Sequence, residues 1–573
     1  MYILAISCYF HDAAAVLLKD GKIIAAIEEE RLSRHKHDAG FPSRAIDFVL
    51  EQTGIKPQNL DYVVFYEKPF RKLQRIFYST IVNYPKSAAA FAEAMRVWLT
   101  QKLWIKQEIA THLGIATQKI LFTQHHLAHA ASCFYPSPFV EAAILTVDGV
   151  GEWTTTSTGI GIGNHIELTK EIRFPQSLGL LYSAFTAWLG FEVNEGEWKV
   201  MGLAPYGRPR YVNKIWKMVK LNPDGSFFLD LDYFAFQYSD TQSFSDKFVS
   251  LFGKPIERNQ AHLISEKGAD VAASIQVVTE EILLNMAKKL QQETQSKNLC
   301  LAGGVALNSV ANYRLLKESG FSHIFVQPAA GDSGAALGAA LYVYHQVTRD
   351  KSRFLQSHSY LGIEFANPEI KRFLRTQAID YHFFPTPKLL DYIAGQIARG
   401  RVVGWMQGKC EWGPRALGAR SILADARNPK MKDIINSKVK FREAFRPFAP
   451  SVLAEKAHLV FDLPQNTRDW WPLRYMLYVV PVRTTWRKKV PAITHIDHTA
   501  RPQLVDRKIN PLYHKLIRKF YQKTGVPLVL NTSFNLKGEP IVATPTDAYS
   551  TFLRSGIDIL VMGNYVCEKE RNK

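Results

Sequence analysis

A strand–aspartate–hairpin pattern occurs twice in the first half of this 573-residue sequence. The first copy begins with the apolar segment YILAIS and continues through His11-Asp12 into a second apolar segment and the turn Asp20-Gly21. An Asp-Gly pair between apolar segments is a strong signal for a β-hairpin. The second copy begins with AAILTV, and Asp148-Gly149 then leads into another hairpin-like segment. Strand and helix patterns alternate after each copy, which predicts α/β sheets with helices on their faces.

Two such copies facing each other resemble the plan of the actin-like ATPases, in which the nucleotide phosphates lie between the hairpins. We therefore expect a duplicated α/β actin-like ATPase domain over residues 1–355. Weaker periodicity over residues 352–381 indicates a connector. Residues 380–573 contain short strands, many Arg and Pro residues and few long helices, which predicts a separate α+β domain. Helices are predicted over Ser43–Gln52, Lys86–Leu113 and Asp270–Glu293, and a further Ala-rich helix is predicted to end near His345.

The net charge indicates which kind of ligand the protein binds, and the cysteine content indicates in which cellular compartment it is expected. The chain has 71 Lys and Arg residues against 52 Asp and Glu residues, a net charge of +19. Because many Arg residues stand beside Gly, Pro or Trp and not in basic tracts, small anionic ligands are favoured over nucleic acid or acidic membranes. The cysteines are few, and none forms a C-x-x-C pair: Cys8, Cys133, Cys300, Cys410 and Cys567. With no signal-peptide pattern and no uncharged stretch long enough to span a membrane, a cytoplasmic protein is expected.

Histidines and aspartates at predicted element ends form a candidate metal site. His125 and His129 are four residues apart, so they share one face of a helix, whereas His126 lies about 100° round that helix. Asp148 follows an apolar strand, and Asp332 lies at a later strand-to-helix junction, so both point towards the same cleft. Imidazole suits zinc, iron and similar ions. The alternatives are histidines that only begin a polar helix and an aspartate that only makes a turn.

Glycine-rich junctions form a candidate nucleotide site. Gly303 and Gly304 connect an apolar strand to a helix, where a nucleotide can lie against the backbone and the helix N-terminus. Gly149 follows Asp148 and permits close approach of backbone N–H groups to phosphate. A Gly-Gly pair alone is weak support for such a site. The Gly- and Pro-containing segment Lys199–Gly207 indicates an ordered loop whose Met and Tyr residues have no assigned role.

Arginine-containing blocks in the last third of the chain predict an anion pocket. Arg beside Gly and Pro has restricted mobility, and a fixed guanidinium group binds phosphate in a planar, bidentate way. The alternative is Arg paired with buried carboxylates. The blocks are Trp412–Arg420, Lys440–Pro450, Arg501–Gln503 and Asn531–Asn535.

These motifs together resemble the O-carbamoyltransferases of nodulation-factor, antibiotic and saxitoxin-type biosynthesis. The resemblance covers nearly the whole chain, and the departures are small: Ala444 stands where the family often has Pro, and Cys133 where Ala is common. The matching stretches are EEERLSRHKHDAGFP, HHLAHAAS, VDGVGEW, KVMGLAPYG, LAGGVALN, GDSGAALGAAL, WGPRALGARSIL, FREAFRPFAPSVL and NTSFNLKGEPIV.

The resemblance implies a role for each group of residues. The metal, iron or zinc, is expected on His125, His129, Asp148 and Asp332, which would serve catalysis. ATP is expected at His11, Asp12, Gly149, Gly303, Gly304 and Asn308. Carbamoyl phosphate is expected at Lys36, Arg415, Lys440, Arg446, Arg501 and Asn531.

The implied reaction transfers a carbamoyl group from carbamoyl phosphate, through carbamoyl adenylate, to a hydroxyl of a small molecule. No nucleic acid and no membrane span are expected, while a homodimer and a Mg²⁺ ion stay open. Two alternatives are a carbamoyltransferase that modifies tRNA or matures a protein, and an actin-like nucleotide-binding regulator without transfer activity. The second anion pocket argues against the regulator. The absence of zinc-ribbon cysteines argues against the protein-maturing enzymes.

Overall fold

The computed structural model describes residues 1–261, 265–464 and 470–569, which form two compact units. The first unit comprises Met1–Ala26 and Ala39–Gln356, and the second comprises Ile27–Asp38 together with the residues from Ser357 onward. The short segment Ile27–Asp38 thus groups with the C-terminal part of the chain. The predicted boundaries, which follow chain order, would place it in the N-terminal domain.

Two sheets of five strands each organise the first unit, and they have the same topology. In each, the order is third, second, first, fourth and fifth strand; the first three are antiparallel neighbours, and the last two run parallel to the first. This duplication confirms the predicted actin-like α/β class. The strands are β1 (Tyr2–Ser7), β2 (Ala14–Lys19), β3 (Lys22–Glu28), β4 (Tyr62–Phe65) and β5 (Ile120–Phe122), then β6 (Glu141–Val147), β7 (Thr154–Ile162), β8 (His165–Arg173), the separate ribbon β9 (Val219–Leu221) and β10 (Phe227–Leu229), β11 (Asn298–Ala302) and β12 (His323–Val326).

The second unit contains an eight-stranded mixed sheet in the order β13-β22-β21-β14-β15-β20-β16-β19, with β17 and β18 as a separate pair. This sheet and the helices around it confirm the predicted α+β class of the C-terminal domain. The strands are β13 (His382–Phe383), β14 (Val403–Met406), β15 (Arg420–Ala424), β16 (Ala449–Leu453), β17 (Val480–Pro481), β18 (Thr499–Ala500), β19 (Gln503–Val505), β20 (Leu528–Ser533), β21 (Ile559–Met562) and β22 (Tyr565–Glu568).

The helices cover the faces of these sheets, and none among the described residues is long and apolar enough to cross a bilayer. They are α1 (Glu30–Ser33), α2 (Ser43–Thr53), α3 (Pro69–Val82), α4 (Ala88–Thr100), α5 (Ile105–Leu113), α6 (His125–Phe134), α7 (Leu178–Trp188), α8 (Glu197–Leu203), α9 (Val212–Ile215), α10 (Asp246–Phe252), α11 (Glu266–Thr294), α12 (Ser309–Glu318), α13 (Asp332–Thr348), α14 (Asn367–Thr376), α15 (Thr386–Ala398), α16 (Met431–Ile435), α17 (Ala457–Val460), α18 (Trp471–Arg474), α19 (Thr484–Arg487), α20 (Pro511–Thr524) and α21 (Pro545–Leu553).

Helices α6 and α13 pack against each other between the two sheets of the first unit. Helix α13 contacts β1, β2 and β4, and helix α6 contacts β6 and β11. Gly338 permits this approach, because a Cβ atom there would lie 1.8 Å from the carbonyl oxygen of Ala128. The two helices therefore meet with their N-terminal ends in the same region.

Three element predictions differ from the structure. The single helix predicted over Lys86–Leu113 is broken into α4, a short turn and α5. Helix α3 was not predicted at all. The predicted connector over residues 352–381 contains α14, because Pro368 suits the first helical turn and Glu369 accepts a hydrogen bond from the Ala366 N–H at 2.7 Å. The helix predicted over Ser43–Gln52 is confirmed and ends at Gly54, where φ is +68°.

Candidate functional site

Two imidazoles and two carboxylates meet in the interior of the first unit. His125 and His129 lie one turn apart on α6, Asp148 directly follows β6, and Asp332 is the first residue of α13. The Nε2 atoms of the two histidines are 3.1 Å apart, and Asp148 Oδ2 lies 3.0 Å from His125 and 3.5 Å from His129. Asp332 Oδ1 lies 3.7 Å from both nitrogens. All four side chains are buried, so the structure brings the sequence-predicted group together.

The geometry and chemistry of this tetrad fit a bound transition metal. Zinc-type bond lengths place neighbouring ligand atoms of a tetrahedral site about 3.3 Å apart, close to the observed separations. The Oδ1 atom of Asp332 is buried and accepts no hydrogen bond from the described protein. A buried carboxylate oxygen without a donor is costly unless a cation serves it. A ligand set of two imidazoles and two carboxylates suits zinc or iron.

Electrostatics at the tetrad favour positive charge at its centre. Burial alone lowers the pKa of His129, but the neighbouring carboxylates of Asp148 and Asp332 outweigh it and raise the pKa to about 9. Burial alone raises the pKa of Asp148, and the two imidazoles reverse this and hold it well below its ordinary value. Two buried carboxylates at this spacing require compensation, which either protons on the imidazoles or a metal ion supplies.

A surrounding layer of polar groups fixes the ligand side chains. The Tyr66 hydroxyl donates to Asp332 Oδ2 at 3.1 Å. Glu152 accepts hydrogen bonds from the backbone N–H of His125 at 3.1 Å and from the backbone N–H of Lys68 at 2.8 Å, and so holds the start of α6. The sequence analysis assigned no role to Tyr66 or to Glu152 of the motif VDGVGEW. Tyr66 follows β4 of the first sheet, whereas the aspartates follow strands of the second sheet, so their proximity depends on how the two sheets pack.

His126 is directed away from the tetrad. Its Nδ1 atom lies 2.7 Å from the Thr146 hydroxyl, which in turn lies 2.6 Å from the Ser157 hydroxyl. Burial among apolar neighbours and the adjacent histidines lower the pKa of His126 well below its ordinary value. The third histidine of the motif is thus a neutral group packed on the β6–β7 hairpin.

The candidate nucleotide residues fall into two groups, and both include residues beside the tetrad. His11 Nδ1 contacts Asp12 Oδ2 at 3.1 Å in the β1–β2 turn. Burial lowers the pKa of His11, whereas Asp12, Asp332 and Asp148 outweigh that effect and raise it to about 9. Gly149 has open space where a Cβ atom would stand. These residues leave room and positive charge beside the tetrad.

The second group has internal partners. The Gly304 N–H donates to Asp148 Oδ1 at 3.1 Å. Gly303 has φ of +92°, and a Cβ there would lie 2.2 Å from the Val147 carbonyl oxygen, so this position requires glycine. The Asn308 side chain caps α12 through the Ala311 N–H at 3.1 Å. These three residues serve local backbone packing and helix capping.

In the second unit, the segment Ile27–Asp38 is fixed by two arginines. Arg31 is buried and donates to the Gly413 carbonyl oxygen at 2.9 Å. Arg34 donates to the carbonyl oxygens of Ile541 at 2.7 Å and Pro540 at 3.0 Å. This anchored segment carries Lys36.

Six cationic side chains share one electrostatic environment in this unit. Burial lowers the pKa of Lys440 well below its ordinary value, and three nearby cations lower it further. Burial likewise lowers the pKa of Arg501, and Arg415 and Arg442 add to that effect. These mutual effects indicate that the predicted cations lie near one another, together with Arg442, which belongs to the predicted block Lys440–Pro450 but was not among the expected carbamoyl phosphate residues. The cations are Lys36, Arg415, Lys440, Arg442, Arg446 and Arg501.

The members of this cationic cluster differ in how far protein groups satisfy them. Lys440 Nζ donates to Ser533 Oγ at 3.0 Å and to Asn535 Oδ1 at 2.7 Å, so it also orders the loop after β20. Arg446 forms an ion pair with Glu443 at 2.9 Å. By contrast, the Nε atom of Arg415 is buried and has no hydrogen-bond partner among the described residues. Such a group is costly unless an anion binds it.

Asn531 has a donor side and an acceptor side with different surroundings. Its amide nitrogen donates to the Ala416 carbonyl oxygen at 3.1 Å and to Ser451 Oγ at 2.9 Å. Its Oδ1 atom is buried and accepts no hydrogen bond from the described residues. The side chain is therefore oriented by the sheet, and its oxygen is suited to accept from an N–H of a ligand.

Comparisons with known proteins identify the family of this chain. Residues 2–341 match the family model for the carbamoyltransferase N-terminus, and residues 394–569 match that for the carbamoyltransferase C-terminus. An uncharacterized protein of Synechocystis sp. is 46% identical over 99% of this chain and 97% of its own length. Nodulation protein NolNO of Sinorhizobium fredii is 37% identical over 98% of this chain and 79% of its own. Nodulation protein NolO of Bradyrhizobium diazoefficiens is 39% identical over 78% of each chain. With both halves matched, this chain is a transferase and belongs to the carbamoyltransferase family.

Proposed function

We propose that the protein is an ATP-dependent O-carbamoyltransferase that moves the carbamoyl group of carbamoyl phosphate onto a hydroxyl of a small molecule. The observation that carries this proposal is the presence of two chemically opposite sites in one chain. The first unit holds a buried tetrad rich in carboxylate, and the second holds a cluster of six cations. One site suits a metal and the other suits an anion.

The cationic cluster is the proposed site for carbamoyl phosphate. Its phosphate dianion would replace the missing partner of Arg415 and relieve repulsion among the neighbouring cations. The carbamoyl NH₂ group would donate to Asn531 Oδ1, which lacks a donor within the described protein. This pairing distinguishes carbamoyl phosphate from inorganic phosphate, which has no amide group.

The proposed reaction has two balanced stages. Carbamoyl phosphate and water give carbamate and phosphate, and a carbamate oxygen then attacks the α-phosphorus of ATP, so that carbamoyl adenylate forms and pyrophosphate leaves. The acceptor hydroxyl next attacks the carbamoyl carbon, AMP leaves, and the hydroxyl proton is lost. Fixed guanidinium groups would stabilise the charge that develops on phosphate oxygens.

The tetrad of the first unit is the proposed catalytic metal site, with His125, His129, Asp148 and Asp332 as ligands. A bound divalent transition metal would supply Lewis-acid chemistry to the transfer. Tyr66 and Glu152 would hold the ligands in place from outside. Protonated His11, whose Nδ1 faces Asp12, would donate from Nε2 to a phosphate oxygen of the nucleotide.

Identifying the molecule that receives the carbamoyl group distinguishes the proposed function from carbamoyl transfer to tRNA or to a protein. Purified protein is incubated with ATP, ¹³C-labelled carbamoyl phosphate and a panel of hydroxyl compounds, and products are identified by mass spectrometry. We expect a carbamate ester that carries the label, together with AMP, pyrophosphate and phosphate. Label recovered only in added tRNA or in a protein acceptor would reject the small-molecule proposal. The similarity to nodulation proteins is the reason to propose a small-molecule acceptor and not tRNA or a protein.

A further inference from the structure

Helix α3 has its apolar face towards solvent and its cationic face towards the protein. Phe70, Phe77 and Ile81 recur on one side of the helix, and Phe70 and Ile81 are each 75% exposed. A surface helix of a globular protein normally shows the opposite arrangement, with the apolar stripe inward. The exposed stripe of α3 therefore does not serve the core of this unit.

The inward face of α3 is held by polar contacts near the tetrad. Lys72 is buried and forms an ion pair with Glu67 at 2.8 Å. Arg75 donates to the Gly151 carbonyl oxygen at 2.7 Å. Because these contacts fix the rotation of the helix, the outward direction of the apolar stripe is a stable feature of the fold.

Neighbouring segments enlarge the exposed apolar surface. Phe77 and Phe91 are in edge-to-face contact with ring centroids 5.3 Å apart, which joins α3 to α4. Single exposed apolar residues are common on protein surfaces, but this region has a group of them close together in sequence. We call it the α3–α4 surface. They are Phe70, Phe77, Tyr78, Ile81, Val82, Tyr84, Leu99 and Trp104.

The same surface is strongly cationic. Residues 68–107 contain eight Lys and Arg residues and one acidic residue, Glu93. Without Lys72 and Arg75, which face inward, the remaining charges of the segment sum to 6 − 1 = +5. Glu93 is itself ion-paired with Arg96 at 2.6 Å. The exposed cations include Arg71, Lys86 and Lys106, which surround the apolar side chains.

We propose that the α3–α4 surface docks the protein onto the surface of an anionic phospholipid bilayer. Helices that lie in a membrane interface combine an apolar face carrying aromatic residues with Lys and Arg beside it. Tyr and Trp, here Tyr78, Tyr84 and Trp104, suit the headgroup region. Anionic headgroups complement the charge of +5 that residues 68–107 carry apart from the inward Lys72 and Arg75.

Charge also argues against a second copy of this chain as the occupant. A two-fold symmetric contact places the same surface on both subunits. It would bring two surfaces of +5 each against one another, and like charges across an interface are unfavourable. A lipid surface instead provides both the apolar layer and the opposite charge.

The test is flotation of the full chain with vesicles of phosphatidylcholine alone or with phosphatidylglycerol added. We expect binding to the anionic vesicles that weakens as salt is raised. The double variant Phe70→Glu/Ile81→Glu should bind about ten- to hundred-fold more weakly, since it places two charges where apolar side chains enter the interface. The matched control Val140→Glu/Phe228→Glu changes residues of the same unit that are 75% and 53% exposed, and it should bind like the unaltered protein.

Circular dichroism and thermal unfolding check that both variants fold. Equal binding to neutral and anionic vesicles, or no binding to either, would overturn the proposal. The same applies if the control variant loses as much binding as the α3 variant. Light scattering that shows a dimer lost only in Phe70→Glu/Ile81→Glu would assign the surface to a second copy of the chain and reject the lipid as its occupant.

Discussion

At the scale of single residues, His125 and His126 adjoin in sequence but have opposite surroundings. His125 Nε2 lies 3.0 Å from an Asp148 oxygen, while His126 Nδ1 lies 2.7 Å from the Thr146 hydroxyl. The 100° step of a helix accounts for this division. The first imidazole is directed towards a cluster of ligand-type atoms, and the second is directed towards a sheet, so substitutions of the two should have different consequences.

We expect one tightly bound transition metal per chain, which His125→Ala or His129→Ala removes and His126→Ala leaves in place. Loss of one of four ligands should weaken metal binding by at least about tenfold, since even outer partners of metal ligands contribute that much. Elemental analysis of the purified variants measures metal content, and circular dichroism checks the fold. Metal that survives in His129→Ala and disappears in His126→Ala would show that the wrong histidine pair had been chosen.

Arg415 gives a second prediction at this scale. Its buried Nε has no partner among the described residues, so an anion that binds there gains a charge-assisted hydrogen bond worth about 1.5–3 kcal/mol. We expect Arg415→Ala to weaken carbamoyl phosphate binding about ten- to hundred-fold by calorimetry, and the exposed Arg375→Ala to leave it unchanged. If both variants bind normally, Arg415 lies outside the donor site.

The sequence predicted residues whose roles follow from local periodicity, and missed those that depend on distant contacts. The spacing of His125 and His129 gives their common helical face directly, and the strand ends give Asp148 and Asp332. Tyr66 was missed because its partner is far away in the chain: its hydroxyl donates to Asp332. Arg442 lay in the predicted block Lys440–Pro450, but its effect on Arg501 depends on the fold and did not follow from that block. Local patterns do not specify which strand ends become neighbours.

At the scale of elements, the same limit explains the helices that were predicted wrongly or missed. Helix α3 was overlooked although Phe70, Phe77 and Ile81 recur at helical spacing. That spacing does not tell which face meets solvent, and in the structure Lys72 and Arg75 face inward instead. The run over Lys86–Leu113 has helical composition throughout, yet the turn at Lys102–Trp104 divides it. Helical propensity is a weak prior that tertiary contacts override.

The segment Ile27–Asp38 leads to a prediction about an element. Arg34 fastens this segment to the second unit through the Ile541 and Pro540 carbonyl oxygens and lies 3.5 Å from Asp547. We expect Arg34→Ala to weaken carbamoyl phosphate binding by about tenfold, because Lys36 loses its fixed position two residues away. Calorimetry measures this effect.

Two controls accompany the Arg34 variant. The variant Arg507→Ala changes an exposed residue and should bind carbamoyl phosphate with unchanged affinity. The variant Arg34→Lys should lose less affinity than Arg34→Ala, because a lysine keeps one hydrogen-bond donor. Normal affinity in Arg34→Ala would mean that the remaining anchor, Arg31, is sufficient to hold the segment.

At the scale of the whole molecule, the two sites should act in one sequence of reactions. The cation cluster is the proposed site for carbamoyl phosphate, and the nucleotide is expected beside the tetrad. In the proposed reaction, carbamate released from carbamoyl phosphate is the nucleophile that attacks ATP. We therefore expect ATP consumption with release of AMP and pyrophosphate only when carbamoyl phosphate is present. Pyrophosphate release, followed enzymatically with and without carbamoyl phosphate, measures this dependence.

The variant Arg415→Ala should need more carbamoyl phosphate to reach the same rate, whereas its ATP requirement should be unchanged, since Arg415 belongs to the proposed donor site. Steady conversion of ATP to ADP at full rate without carbamoyl phosphate would show an independent ATPase and would separate the two sites that the proposed reaction joins.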